Sequence, residues 1–234
     1  PSDLAALGVP CRIPLKEVGR NLHDQLELSV KVTTKQPTSS ASMVHPFVKK
    51  LIETEWRFFG TGWGRYSFEG PRIYGRSPLA QSSSTIPDYG VFMRHSLDAM
   101  DLARHGFTVD TRVLKPLSRG NIVFSQSRAG EVLIDPQYLA HSNDKQILSH
   151  ALERLFAICR QSPLDNAIQS IDTRPEADLA MCTMGCGDFG GTCSIGTVLS
   201  PELHVENTKN LFVCDSSAIP APVSSGVYST VMVM

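Results

Sequence analysis

Six cysteines in 234 residues are too few and too unevenly placed for a disulfide scaffold. Cys11 and Cys159 stand apart, while Cys182, Cys186, Cys193 and Cys214 crowd into the last quarter. Buried free thiols are therefore expected. Cys182 and Cys186 are spaced as metal ligands on a helix could be, but no neighbouring Cys or His pair completes a four-ligand set, so no metal is expected. No apolar run reaches the ~18–20 residues that a membrane span requires. With 22 basic against 23 acidic side chains, there is also no excess charge to draw the chain to nucleic acid. No internal repeat is visible. The seven histidines contain no His-Glu-x-x-His pair, and no Gly-x-Ser-x-Gly elbow accompanies them. The chain opens on Pro1 without a basic-then-apolar leader, so its start reads as processed, engineered or incomplete, and its compartment stays open.

What is present is an ordinary globular composition, long enough for one large domain or two small ones. Leu26 to Thr33 alternates apolar and polar residues, with β-branched side chains on one face, and predicts a half-buried strand. Tyr89 to Arg94, Phe107 to Leu114, Gly120 to Ser125 and Glu131 to Ile134 read as further strands. The turn-forming Pro116 to Gly120 suggests that the middle ones run on as an antiparallel meander. A helix is expected from Pro46 to Phe59, starting where proline is tolerated. A clearer one follows Asn143, where Ile147, Leu148, Ala151, Leu152, Leu155, Phe156 and Cys159 recur at helical spacing and would cover the sheet. Lys145, Gln146, His150, Glu153, Arg154 and Arg160 form its solvated face. Leu211 to Cys214 reads as a short apolar strand. The expected fold class is α+β, an antiparallel (mixed) sheet backed by helices.

Two motifs are decoys. Gly185-Cys186-Gly187-Asp188-Phe189-Gly190 matches the dinucleotide fingerprint Gly-x-Gly-x-x-Gly, but the glycine-rich Gly191 to Gly196 that follows is not the helix that motif needs. Asp188-Phe189-Gly190 matches a kinase magnesium motif without the other kinase signatures. Among the histidines, His95 stands out because it ends a predicted strand, from which a side chain can project into a cleft as an acid or base.

Several ordered motifs together carry a resemblance. Leu4 to Pro10, followed by Val18-Gly19-Arg20-Asn21-Leu22-His23-Asp24, is similar to the stretch that leads out of the flavin domain in glucose–methanol–choline (GMC) oxidoreductases. Lys115 to Gly120 and Ile134 to Leu139 resemble strands of that family's substrate domain. The closing residues resemble its C-terminal signature: Gly191-Thr192-Cys193-Ser194-Ile195-Gly196, Pro201 to Val205, Asn210 to Pro220 and Ser224 to Val227. The resemblance implies a flavin-domain exit segment over residues 1–25, a substrate-domain-like sheet and helices over 26–180, and a C-terminal segment over 181–234. The family's N-terminal nucleotide-binding half, and the helix that follows its final strand, have no counterpart in this reading. Asp215, Ser216, Ser225 and Val227 would line FAD from the C-terminal side where the N-terminal half is present; a chain acting alone would hold no cofactor.

The resemblance also places the family's active-site histidine at Asp188, three residues before Gly-Thr-Cys, and its partner at Gly226. Alcohol oxidation needs a group that takes the hydroxyl proton. Imidazole, with a pKa near ~6.5, suits that better than a carboxylate of ~4 unless burial raises it. The leading expectation is therefore a GMC-derived protein without flavin redox chemistry. It would bind a small, largely apolar, secondary-metabolite-like substrate and cyclise or isomerise it, with Asp188, Tyr228 or His95 moving protons. The alternative is the C-terminal portion of an FAD-dependent alcohol oxidase or dehydrogenase, and a third reading is a non-catalytic binding remnant. Because the family's C-terminal strand and the residues after Pro220 pack on a flavin domain, the expected partner is a second copy or the missing half, unless the C-terminal region is rearranged.

Overall fold

A computed structural model describes residues 4–5, 7–36, 46–62, 69–80, 85–94, 105–125, 130–174 and 178–234. It divides into two compact units. One comprises Pro1–Glu27, Val113–Gln146 and Met184–Met234; the other comprises Leu28–Arg112 and Ile147–Thr183.

The second unit is built on a sheet. β1 (Leu26–Thr34), β2 (Glu69–Gly75), β3 (Tyr89–Arg94), β4 (Gly106–Val113) and β7 (Ile168–Ile171) lie in the order β2-β3-β4-β1-β7, and β8 (Thr183–Gly185) pairs with β1 off that path. β2 pairs antiparallel with β3, and β1 pairs antiparallel with β7. The alternation in β1 is realised in full: Leu26, Leu28, Val30, Val32 and Thr34 are buried, and the residues between them are more open. The long helix α2 (Ser142–Cys159) buries Ile147, Leu148, Ala151, Leu152, Leu155, Phe156 and Cys159, the stripe its spacing predicts. Its His150 ring meets Tyr89 of β3 edge to face, 5.7 Å between centroids. Lys145, Gln146, Glu153, Arg154 and Arg160 of the expected solvated face are exposed, while His150, also expected there, is half-buried against Tyr89. α1 occupies Pro46–Phe59, the predicted span.

Two strands escape the sequence patterns for a physical reason. β2 contains Gly70 and Pro71, which read as turn residues, yet it is an edge strand, where a missing N–H is tolerated. β7 is a four-residue edge strand. The central β4 holds a surprise in Asp110, only 1% exposed. Arg94 donates to its two oxygens at 2.6 and 2.8 Å, and the Ser29 hydroxyl donates to it at 2.6 Å. A buried carboxylate persists only when paired and hydrogen-bonded in this way.

The first unit corrects the predicted meander. β5 (Asn121–Phe124) and β6 (Val132–Asp135) form a separate two-stranded antiparallel ladder, while β4 stays in the large sheet. The backbone after β4 is diverted. The buried Asp144 carboxylate accepts from the Leu117 and Ser118 amides, each at 2.8 Å, and Gly120 exchanges both backbone bonds with Leu22. Those donors are spent before β5 begins, so no neighbouring strand continues from β4. A small core of Val198, Leu199, Val205 and Ala218, with Leu15, Cys193, Ile195, Leu203 and Val213 against it, organises the C-terminal region. The strand expected at Leu211 to Cys214 is reduced to a single bridge between His204 and Phe212, with Leu211 and Phe212 exposed. Against expectation, a helix does follow: α5 spans Tyr228–Val233. Short helices also form at α3 (Leu164–Ala167) and α4 (Leu179–Cys182). The cysteines are less hidden than expected: Cys159 is buried, Cys186 and Cys193 are half-buried, and Cys11 and Cys214 are exposed.

Candidate functional site

Five consecutive residues, Asn21 to Gln25, tie together segments nearly two hundred positions away. The Asn21 amide donates to Ser194 Oγ and to the Pro220 carbonyl, both at 3.0 Å, while its oxygen accepts from Arg119 at 2.9 Å. His23 Nε2–H donates to the Ile219 carbonyl at 3.0 Å, and its backbone pairs with Gly190 in both directions. The Gln25 amide donates to the Val223 carbonyl at 2.7 Å. Alternation explains the division of labour between His23 and Gln25, which reach the 219–223 strip, and Asp24, which points the other way; Asn21 reaches Pro220 from a left-handed turn, φ +59°.

Asp24, 4% exposed, holds the loop that carries Asp188. Its Oδ1 accepts from the Asp188 amide at 2.9 Å, and its Oδ2 accepts from the Gly187 amide at 3.1 Å and the Tyr138 hydroxyl at 2.9 Å. Burial, followed by the charge and hydrogen bond of Asp24, pushes the Tyr138 phenol well above its usual pKa, so Tyr138 serves as a donor and not as a base near neutrality. Burial is also the main cause that holds the His23 imidazole below its ordinary value, in keeping with a neutral ring that donates to a carbonyl. The two glycines after Phe189 are required by that ring. A β carbon at Gly190 would stand 2.7 Å from His23 Cε1, and one at Gly191, whose φ is +89°, would meet the same ring and the Asn21 carbonyl.

The consequence is a defined position for Asp188. Its half-buried carboxylate faces Gly226: a β carbon built there would lie 3.6 Å from Asp188 Oδ2. The two positions that the sequence motifs pair are thus brought together. Tyr228 is two residues further on, exposed at the start of α5. Asp215 accepts from the Ser217 amide at 2.8 Å and caps the 3-10 turn Ser216–Ala218; Ser225 is exposed, and Val227 precedes α5. His95 lies outside the described residues. Cys193, of the Gly-Thr-Cys motif, donates its amide to the Ser217 carbonyl, and burial is the main cause that pushes its thiol upward, so it is a packing group and not a thiolate. The Gly-x-Gly-x-x-Gly match is a loop: β8 leads into it, and it ends in the His23–Gly190 bridge with no helix following. Among the described residues, no three His, Cys, Asp or Glu groups gather as metal ligands.

Sequence patterns missed Asp24, Tyr138 and Gln25. The available signal was the polar run His23-Asp24-Gln25 directly before an apolar strand, since such residues stay buried only with dedicated partners.

The described residues form a helix-backed sheet unit and another unit whose glycine-rich loop is hydrogen-bonded to the closing residues. The GMC oxidoreductase family profile matches residues 116–234. The chain belongs to the GMC oxidoreductase family. The protein "Neither inactivation nor afterpotential protein G" of Drosophila melanogaster is 25% identical, over 99% of this chain and 47% of its own length. An oxygen-dependent choline dehydrogenase of Brucella ovis is 27% identical, over 87% of this chain and 40% of its own. The chain thus spans about half the length of the curated relatives it matches. A formate oxidase of Aspergillus oryzae, solved in a study of FAD modification, superposes with a TM-score of 0.81 over 98% of this chain and 48% of its own, at 14% identity, a likeness of fold. None of these matches supports a cyclase or isomerase; the matched enzymes named by activity are a dehydrogenase and an oxidase.

Proposed function

We propose that this chain is the substrate-facing C-terminal portion of an FAD-dependent GMC oxidoreductase that oxidises a CH–OH donor. In this reading, residues 1–25 are the exit segment of a flavin domain, 26–180 the substrate domain and 181–234 the segment that returns to the flavin. The observation that carries the reading is the juxtaposition of Asp188 and Gly226, the two positions the family signature assigns to the reacting centre, by a network of buried polar groups.

The residues present fit one wall of a flavin site. Asp215 and Ser225 are exposed, Ser216 and Val227 are half-buried, and Phe212 and Tyr228, close to them in sequence, are exposed. The pyrophosphate cradle falls outside these residues, because the only glycine fingerprint among the described ones is a loop without a helix behind it. When bound, the flavin supplies the acceptor for a hydride from the carbinol carbon. Asp188 acts on the substrate hydroxyl, accepting its proton as the C–H bond is cleaved. Asp24 fixes the loop from behind, and Gly226 leaves the space beside the carboxylate open for the substrate carbinol.

The test is an intact-mass and visible-absorption measurement on the protein purified from its own source. Flavin bands and a mass well above 25.6 kDa are expected. Asp188→Asn should keep those bands and lose anaerobic bleaching by a panel of primary and secondary alcohols. A colourless 25.6 kDa species, or an Asp188→Asn variant that bleaches as fast as the parent, would refute the reading.

A further inference from the structure

Of the fourteen glycines whose surroundings the structure describes, eight have φ in the left-handed region, and a β carbon on five others would stand under 3.0 Å from a neighbouring atom. Backbone conformation or packing accounts for those thirteen. Gly226 is the exception. Its φ lies outside the left-handed region, and beyond its chain neighbours a β carbon there would find one described atom within 4 Å, Asp188 Oδ2 at 3.6 Å. That distance is ordinary van der Waals contact, and the residue is exposed, directly before Val227 at the start of α5. The fold has no steric need of glycine at 226, and a glycine there loses more backbone freedom on folding than alanine would. What the missing β carbon leaves is a methyl-sized space beside a carboxylate oxygen. Asp24, which accepts from the amides of Gly187 and Asp188, holds the backbone that carries this carboxylate.

An alcohol that donates to a carboxylate at ~2.7 Å places its carbinol carbon ~3.6 Å from the accepting oxygen, so the groups on that carbon crowd against the same carboxylate. The carbinol carbon carries the hydroxyl, the hydrogen that leaves as hydride, and two further substituents. In a primary alcohol one of those two is hydrogen and needs no such room. In a secondary alcohol both are carbon, and the second needs a methyl-sized space beside the carboxylate. We infer, resting on the oxidoreductase reading above, that Gly226 is a specificity-determining residue that admits the second carbon substituent of a neutral secondary alcohol beside Asp188. The reaction breaks the O–H and C–H bonds of the carbinol; the proton passes to Asp188, the hydride to the flavin, and a ketone remains. A substituent in that space lies against the Asp188 carboxylate, so a second carboxylate there, as in a 2-hydroxy acid, is repelled.

The test uses the flavin-loaded protein of the preceding experiment, where Asp188→Asn decides the oxidoreductase reading itself. Each secondary alcohol of the panel is compared with its primary isomer in anaerobic flavin bleaching, and lactate is added as a 2-hydroxy acid. The parent should bleach faster with the secondary isomers and should not bleach with lactate. Gly226→Ala should lower the second-order bleaching rate at least ~10-fold more for secondary than for primary isomers, the range in which a misfitted methyl group acts in a binding pocket. It should melt with the parent, because its β carbon meets nothing closer than 3.6 Å. The matching ketones, added without turnover, should raise the melting temperature of the parent more than that of Gly226→Ala. A parent that bleaches only with primary alcohols, or as readily with lactate, would overturn the role of Gly226 and leave the oxidoreductase reading standing. So would a Gly226→Ala variant that keeps the parent's ratio, loses both alcohol classes alike, or shows equal ketone shifts. A colourless protein, or an Asp188→Asn variant that bleaches like the parent, would remove both together.

Discussion

Replacing Asp24 by Asn removes an acceptor where two amides and a phenol converge on a single buried carboxylate. With the amide oxygen kept toward the Asp188 amide, the new NH2 group faces the Gly187 N–H, a donor against a donor, and a Tyr138 hydroxyl that must turn to accept. Hydrogen bonds to a charged group contribute ~1.5–3 kcal/mol each, and an unsatisfied buried donor costs ~1–3 kcal/mol. Loss of the Gly187 bond with partial recovery at Tyr138 therefore predicts a destabilisation of about 2–4 kcal/mol. In urea, with a slope of ~2–3 kcal/mol per molar, the midpoint should fall by about 1 M. Tyr138→Phe leaves both amides satisfied and should cost about 1.5–2 kcal/mol. The double variant should cost less than the sum of the two singles, because both remove the same hydrogen bond. A midpoint change under ~0.2 M for Asp24→Asn, or strict additivity with Tyr138→Phe, would show that the carboxylate does not anchor the loop.

Three further outcomes follow from the same geometry. His23 is held below its ordinary pKa near 6.5 chiefly by burial, so the unfolded chain binds more protons as pH drops below ~6.5. Its contribution to stability is complete above that value and is lost as pH falls toward the folded pKa; His23→Gln, which keeps a donor for Ile219, should flatten the melting temperature between pH 7.5 and 5.5. Gly190→Ala places a β carbon 2.7 Å from the His23 ring and 2.9 Å from the Ser216 carbonyl and should cost about 2 kcal/mol or more, whereas Gly226→Ala, 3.6 Å from its nearest neighbour, should stay within ~0.5 kcal/mol. Equal melts for the two glycine variants would contradict the packing described. Leu148→Ala, at a fully buried position of α2, should cost about 2–5 kcal/mol by denaturant titration, while Lys145→Ala on the exposed face of the same helix should be neutral.

Local periodicity determined the elements that bury one regular face. The bounds of β3, the buried stripe of α2 and the alternation of β1 were all legible in the sequence, because each depends on residues a few positions apart facing one core, whereas α1 keeps its predicted span with none of its residues buried. The ordered motifs likewise placed the chain in its family. Tertiary structure alone decided where backbone donors and buried charges find partners. The meander reading failed because the Asp144 carboxylate and Leu22 take the donors between β4 and β5. The edge strand β2 was obscured by a proline that only its edge position excuses. Asp24 could not be recognised as the anchor of the Asp188 loop from a sequence in which the two lie 164 residues apart. Hydrogen bonds of that kind are specified by geometry in space, not by spacing along the chain.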